Sequence, residues 1–207
     1  MASQGMSNAV SQVTKGEERR TEILAAARRV LLADGYHELS LRQIASSLGI
    51  SVGNLQYYFP NKDDLVEAVI TREINQSLEL AVDAEWDSTD PQSSTFKLVH
   101  AILTHHASEA GQFYALAEGL ALHKQRFADL KSQGYIAVFE QVASLIEVQR
   151  PDLEANNRQG LAAVLVALMD GASLQVQFGK AAASTKAINR LSEDIAQAIF
   201  QLIRNWE

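Results

Sequence analysis

Cysteine is absent from this 207-residue chain, and proline is scarce, with only three residues. Without cysteine, neither a disulfide nor a thiolate metal site can form, and the reducing cytosol is the expected compartment. So few prolines leave room for long helices. The chain also lacks Val-, Ile- and Thr-rich alternating runs between turns, which would indicate strands. We therefore expect an all-α protein of about nine helices.

Long apolar runs are also missing. The first 25 or so residues contain no apolar segment of the signal-peptide type, and no run approaches the roughly 18 apolar residues of a transmembrane helix. Hydrophobic residues make up 47% of the chain, enough for a core. We expect a soluble, cytoplasmic protein. A Gly-rich phosphate loop and a G-x-S-x-G motif are absent too, so we expect no enzyme.

Positive charge is scarce overall but unevenly distributed. The net charge is −7, yet residues 1–62 carry seven Lys or Arg against five Asp or Glu, and residues 63–207 carry eleven against twenty. A weakly basic first part on an acidic body is typical of a chain whose first part meets phosphate. So small a difference also fits a random scatter of surface charge, and charge alone leaves both interpretations open.

The stretch LRQIASSLGISVGNLQYYFPNK, residues 41–62, predicts two short helices joined by a glycine turn. Small Ala45 allows the second helix to cross closely, and Gly49 permits the sharp turn. This is the helix-turn-helix pattern, whose second helix lies in the DNA major groove. An ordinary helical hairpin is the alternative. The apolar positions that would fix the angle between the helices are Ile44, Leu48, Ile50, Leu55 and Phe59.

The longer stretch from TEILAAARRV to YYFPNKDDLVEAV resembles the DNA-binding domain of TetR-family transcriptional regulators along its whole length. The matching motifs are I-L-x-A-A, G-Y, I-A-x-x-L-G-I-S-x-G-x-L and Y-F-x-x-K-x-x-L. The resemblance implies a second, all-helical domain that binds a ligand and dimerises. One position departs from the family: Gln56 stands where the family often has tyrosine.

The resemblance also implies a set of DNA-contacting residues on and around the second helix. Asn54 and Gln56 can each pair with adenine, and Val52 can meet a thymine methyl group. Lys62 would bind phosphate together with the free N–H groups at the start of helix 4. For Tyr57, a core role and a phosphate contact are equally good interpretations. The complete set is Arg42, Val52, Gly53, Asn54, Gln56, Tyr57, Tyr58 and Lys62.

Three segments follow from these patterns: a disordered arm over residues 1–16, the helix-turn-helix domain over 17–61, and a helical ligand-binding and dimerisation domain over 62–207. The first domain would hold helices over 17–34, 41–48 and 52–58. The second would hold helices over 62–86, 95–110, 112–124, 127–149, 154–180 and 185–206.

The last two helices carry apolar stripes at the spacing of a helical bundle. We expect these stripes to pack against a second copy in a four-helix bundle. A dimer would also contact more base pairs than one short recognition helix can. The alternative is that both stripes only cover the core of one subunit. The expected interface residues are Leu165, Leu168, Ala172, Val176, Leu191, Ile195, Ile199 and Leu202.

A ligand pocket is expected among helices 5 to 8, where aromatic and Met side chains with few polar groups suit an apolar or amphipathic small molecule. Histidines His100, His105 and His106 could line this pocket, hold a metal ion, or simply be hydrogen-bonded or exposed. We expect no metal and no cofactor. The candidate pocket residues are His100, His106, Phe113, Tyr114, Glu118, Phe139, Met169 and Gln175.

These patterns together predict a ligand-responsive transcriptional regulator. We expect a repressor that binds a pseudo-palindromic operator as a dimer and is released by a small-molecule effector of unknown identity. An alternative keeps the DNA-binding domain but uses the second domain to recruit a protein partner, with no small-molecule inducer. An enzyme or metalloprotein built on helices 5 to 8 is a third, weaker interpretation.

Overall fold

The computed structural model describes residues 14–83, 87, 89–178 and 184–207. It divides into two compact units, the first ending at Val69 and the second beginning at Ile70. The described residues form nine α-helices and no strand, so the all-α prediction is confirmed. The helices are α1 (Lys15–Glu38), α2 (Leu41–Ser47), α3 (Val52–Tyr58), α4 (Lys62–Asp83), α5 (Pro91–His106), α6 (Glu109–His123), α7 (Gln125–Gln149), α8 (Ala155–Phe178) and α9 (Thr185–Asn205).

Helix α1 begins inside the stretch predicted to be an arm, because Thr14 caps it. The Thr14 hydroxyl oxygen accepts from the Glu17 backbone N–H at 3.3 Å, and the Glu17 carboxylate accepts from the Thr14 N–H at 2.8 Å. This reciprocal pair is a capping box. The rest of the predicted arm, residues 1–13, lies outside the described residues. Near the other end, Gly35 has a φ of +81° and interrupts the helical path where the glycine was predicted to end it.

The turn between α2 and α3 is a Schellman motif built on Gly49. The Ile50 N–H donates to the Ala45 carbonyl at 3.0 Å, and the Gly49 N–H donates to the Ser46 carbonyl at 3.2 Å. Gly49 has a φ of +65°, which residues with a Cβ rarely adopt. Ser51 then caps α3 by accepting from the Asn54 N–H at 3.1 Å. The predicted helix-turn-helix geometry is therefore present.

The core of the first unit holds α2 and α3 at their fixed angle. Ile44, Ala45, Leu55 and Phe59 are buried, as predicted. Burial of one such aliphatic side chain contributes roughly 1.5–3 kcal/mol. Other buried side chains of the unit are Ile23, Leu24, Ala27, Leu31, Leu39, Leu65, Val66 and Val69. The first unit thus extends into α4, beyond the boundary expected between residues 61 and 62.

The second unit is a helical bundle in which α5 packs most extensively on α9, and α7 packs on α6 and α8. Helix α5 begins at Pro91 rather than near residue 95, because the Asp90 carboxylate caps it by accepting from the Ser93 N–H at 3.0 Å. Proline suits the first helical position, where no N–H is needed. The predicted ends of helices 4 and 8, residues 86 and 180, lie outside the described residues.

Helices α5 and α6 meet at a tight corner made possible by Gly111. A Cβ at Gly111 would lie 1.9 Å from the His106 carbonyl oxygen and 2.7 Å from the Gln177 side chain. Ser108 separates the two helices and caps α6 by accepting from the Ala110 N–H at 3.2 Å. The predicted boundaries at residues 110 and 112 are therefore wrong by four and three residues, respectively.

Helix α8 is long and apolar enough, by length and composition alone, to cross a membrane, although the sequence suggested no such run. A core helix of a water-soluble protein meets the same criterion. Within its most apolar window, 39% of the residues are buried inside the structure. The remaining side of α8 therefore presents apolar surface outwards.

Candidate functional site

The outward face of α3 carries most of the predicted DNA contacts. Gly53, Asn54 and Gln56 are exposed, whereas Val52 and Tyr58 are half-buried. Tyr57 is 83% exposed, which rules out a core role for its ring. It packs edge-on against the Tyr58 ring, with centroids 5.2 Å apart. The face thus presents two amide side chains and a tyrosine to solvent, while the opposite side of α3 anchors it in the core.

Arg42 is exposed in the first turn of α2, as a phosphate or base contact requires. Lys62 differs, because its ammonium already has contacts inside the first unit. It donates to the His37 carbonyl at 3.1 Å and lies 4.2 Å from the centre of the Tyr36 ring. The Tyr36 hydroxyl in turn donates to the Asp63 carboxylate at 2.5 Å. Lys62 therefore ties the start of α4 to the chain after Gly35, and its contact with phosphate stays a prediction.

The second unit contains a cavity of about 310 Å³ with an almost entirely apolar wall. Its volume is at the lower end of the usual range for small-molecule sites. Five of the eight predicted pocket residues line it: His106, Phe113, Tyr114, Glu118 and Met169. Other apolar wall residues include Ile74, Leu98, Phe127, Val142, Leu165 and Val166.

The other three predicted pocket residues do not line this cavity, and a role for them in ligand binding stays a prediction. His100 stacks on Phe96 and bonds through Nδ1 to the Ser192 hydroxyl on α9, at 3.3 Å. Phe139 stacks on the Tyr135 ring, with centroids 5.9 Å apart, and does not itself line the cavity. Gln175 is exposed on α8. Helical spacing places such residues on a face but does not determine which face borders the cavity.

His106 is one of the polar residues that line the cavity. Its Nδ1 lies 2.6 Å from the Ser173 hydroxyl oxygen, and the Tyr114 ring packs edge-on against it at 4.8 Å. Burial, together with repulsion from neighbouring His105, lowers the pKa of His106 from 6.5 to about 4. The imidazole is therefore neutral at physiological pH. Among the described residues, no group of three or more His, Cys, Asp or Glu side chains could hold a metal ion.

The rim of the cavity carries two residues that the pocket prediction from the sequence did not include, Lys131 and Tyr135, and each contacts a carboxylate that also lines the cavity. The Tyr135 hydroxyl donates to the Asp170 carboxylate at 2.8 Å, and the Lys131 ammonium lies 2.7 Å from the Glu118 carboxylate. Burial and the hydrogen bond to Asp170 raise the pKa of Tyr135, so its hydroxyl stays protonated. Lys131 and Tyr135 are four residues apart and share a face of α7, a spacing visible in the sequence.

Buried Glu73 also lines the cavity, from α4. The sequence indicates this burial, because Glu73 continues the helical spacing of the apolar residues Val66, Val69 and Ile70 and therefore lies on the same face of α4. The Glu73 backbone carbonyl accepts from the Tyr114 hydroxyl at 3.0 Å, which fixes one aromatic wall of the cavity.

The expected dimer residues divide into two groups. Leu165, Ala172, Val176 and Ile199 are buried within the subunit, which for these four favours the alternative of a monomer core over an interface. Leu168, Leu191, Ile195 and Leu202 are only partly buried and border that core. A separate stripe of small and apolar residues on α8 is exposed: Gly160, Ala163, Val164, Ala167, Gly171 and Phe178.

The first unit has the architecture of a helix-turn-helix DNA-binding domain, in which α3 follows the glycine turn after α2 and has an exposed outer face. Residues 23–69 match the family described as bacterial regulatory proteins, tetR family. The first unit therefore carries the DNA-binding domain of this family of regulators. The family resemblance seen in the sequence is confirmed.

Three similar proteins extend this comparison. The HTH-type transcriptional regulator UidR of Escherichia coli K12 is 35% identical over 65 residues, which cover 31% of this chain and only 33% of UidR. The HTH-type nicotine-responsive transcriptional repressor HdnoR of Paenarthrobacter nicotinovorans is 28% identical over 167 residues, covering 76% of this chain and 83% of HdnoR. A transcriptional regulator from Saccharomonospora viridis, crystallised with choline, has the same fold, with a TM-score of 0.64, 22% identity and coverage of 91% and 96%.

Proposed function

We propose that this protein is a dimeric, ligand-responsive repressor that binds a pseudo-palindromic operator and is released by a small molecule. The cavity of about 310 Å³ in the second unit carries this proposal. A domain that only recruits a protein partner has no need of an apolar cavity of that size, so the cavity favours the ligand-responsive function over the alternative. By linkage, ligand and DNA would weaken each other's binding equally, typically by about 1–3 kcal/mol.

The α3 face would recognise the operator. A helix of seven residues is about 10 Å long and spans only a few base pairs. Asn54 and Gln56 would contact base edges, whereas Arg42, Tyr57 and Tyr58 would contact bases or phosphates around them. Two α3 helices related by a dyad, ~34–36 Å apart, would enter successive major grooves. Recognition of an operator long enough to be specific therefore needs two subunits.

The exposed stripe on α8 supports the dimer. Its glycines and alanines allow a second helix to approach closely, and Phe178, 69% exposed, adds apolar area. Partly buried Leu191, Ile195 and Leu202 would extend the same interface onto α9. A continuous apolar helix face of this kind is more often covered than left in water.

Two of the similar proteins are named for, or crystallised with, a small molecule, nicotine in one case and choline in the other. Their resemblance extends over the second unit, because the matches cover 76% and 91% of this chain. This supports a small-molecule effector for the present protein too. A bacterial regulator that binds DNA acts in the cytoplasm, which agrees with the expected cytoplasmic location.

The DNA-binding part can be tested without knowing the operator. DNA selected from a random library by the purified protein would give a consensus, and fluorescence anisotropy would measure affinity for it. Asn54→Ala should lose about 1–3 kcal/mol of discrimination at one base pair of each half-site. Asn156→Ala, the same change at an exposed α8 position, should bind like the wild type. Equal behaviour of both variants would show that α3 is not the recognition helix.

The dimer part needs a separate measurement. Ala167→Arg places a long cation in the exposed α8 stripe and should convert the dimer to a monomer in light scattering. Ser132→Arg, on the exposed side of α7, should leave the mass unchanged. If Ala167→Arg stays dimeric, the interface lies elsewhere.

A further inference from the structure

The charged groups around the cavity are predominantly negative. Among the described residues that line it, three bear a carboxyl group, Glu73, Glu118 and Asp170, and one is a lysine, Lys131. His106 adds no charge at neutral pH, because it is held in its uncharged form. The cavity is apolar elsewhere, so this excess of negative charge acts in surroundings that screen it less than bulk water does.

Lys131, the one lysine that lines the cavity within the described part of the chain, is already paired with a carboxylate at the rim. The Lys131 ammonium is 2.7 Å from the Glu118 carboxylate and 5.5 Å from the centre of the Tyr135 ring. An anionic ligand would have to compete with Glu118 for this ammonium and would approach Asp170 as well. Either step is unfavourable, because like charges repel strongly where water is partly excluded.

Asp170 occupies a different position. Its carboxylate accepts from the Tyr135 hydroxyl at 2.8 Å. Among the residues that the structure describes, no Lys, Arg or His nitrogen lies within ion-pair distance of it. Burial raises the pKa of Asp170 and nearby Glu118 raises it further, whereas the hydrogen bond from Tyr135 and the charge of Lys131 lower it, and the net effect is a raised pKa. A cation arriving beside Asp170 would offset the cost of burial and the repulsion from Glu118.

The aromatic side chains supply the second half of a cation site. Phe113 and Tyr114 line the cavity, with Phe113 fully buried. Tyr135 stands next to Asp170. Aromatic faces attract ammonium groups, more strongly when water is excluded. An ammonium group with an apolar body would therefore meet a carboxylate, a tyrosine and an aromatic wall.

We propose that the effector is an amphipathic cation, with an amine or quaternary ammonium group beside Asp170 and Tyr135 and an apolar body along the cavity wall. The inference rests on the proposed function in that it concerns the same cavity. It excludes fatty acids and other amphipathic anions as effectors of this protein.

The test uses two sets of three probes that share one body and differ only in the head group. One set is 4-phenylbutylamine, 4-phenylbutan-1-ol and 4-phenylbutyrate, and the other is decylamine, decan-1-ol and decanoate. Isothermal titration calorimetry on the full chain should rank amine above alcohol and alcohol above carboxylate, with the amine at least about tenfold tighter than the carboxylate. The proposal is overturned if the carboxylate binds as tightly as the amine on both bodies, or if none of the six binds.

Two variants locate the head group. Asp170→Asn should weaken the amine by about tenfold and leave the alcohol unchanged, since only the charge-assisted contact is lost. Asp129→Asn, the same change on α7 at an exposed residue that does not line the cavity, should bind both probes like the wild type. If Asp170→Asn retains full amine affinity, the cation does not lie there and the proposal fails. Unchanged alcohol binding shows that the variant is folded.

DNA binding separates this inference from the proposed function. Amine binding that does not alter the affinity for the selected DNA would leave the ligand class intact and refute ligand-responsive repression. Release from DNA by the carboxylates instead of the amines would refute the ligand class and leave the regulator intact.

Discussion

His106 should make the folded protein less stable below pH 6.5. Its pKa is about 4 in the folded chain, against 6.5 for an ordinary histidine, because burial disfavours the charged imidazolium. Between these two values the unfolded chain binds a proton that the folded chain does not. The free energy of unfolding therefore falls as the pH is lowered through this window. The lost stability is about 2 kcal/mol at pH 5 and about 3 kcal/mol below pH 4.

Urea unfolding at pH 7.5 and pH 5.0 measures this loss, at one fixed protein concentration because the proposed dimerisation would also affect stability. His106→Gln removes the titrating group while keeping a polar side chain beside Ser173. It should be less stable than the wild type at pH 7.5, but its further loss on going to pH 5.0 should be smaller by about 2 kcal/mol.

His123→Gln is the matched control, since His123 is exposed at the end of α6. It should show the full wild-type loss. Equal losses in the wild type and in His106→Gln would show that the imidazole is not held neutral by burial, and the description of the cavity around it would be wrong.

Two further predictions concern the second unit. Gly111→Ala should lower the free energy of unfolding by at least about 2 kcal/mol, because the new Cβ would overlap the His106 carbonyl. Gly119→Ala lies on the same helix and its Cβ would meet no atom within 4 Å, so it should raise the free energy of unfolding by about 0.5–1 kcal/mol. Thermal unfolding that ranks the two variants the other way would contradict the corner geometry. Arg150→Ala should speed hydrogen exchange in the last turn of α9, because the Arg150 guanidinium donates to the Ile203 carbonyl at 2.7 Å. Arg190→Ala, which removes only a surface ion pair, should not change this exchange.

The first unit was largely predictable because its determinants are local. Ser40, Gly49 and Ser51 fix helix ends through contacts within a few residues, and such contacts follow directly from sequence spacing. The apolar residues between them could then pack in only one way. By contrast, Asp90-Pro91 was interpreted as part of a loop, although together they start α5.

The lining of the cavity and the burial of the apolar stripes on α8 and α9 were less predictable, because they depend on contacts between distant residues. Tyr135 and Asp170 are 35 residues apart, and nothing in either segment indicates that they meet. Periodicity identified the apolar sides of α8 and α9 correctly. It could not determine whether a given stripe, such as Leu165 with Val176, is covered by the same subunit or by another.

The corner at Gly111 also limits how the cavity can adapt. The start of α6 is so close to the last carbonyl groups of α5 that neither helix can slide without moving the other. A ligand that displaced the backbone at His106 would therefore move α5 and α6 together. New ligand preferences are easier to acquire at Lys131, Tyr135 and Asp170, which are partly open to solvent. Selection could thus change what the cavity binds by altering its rim, while the α5–α6 corner stays fixed.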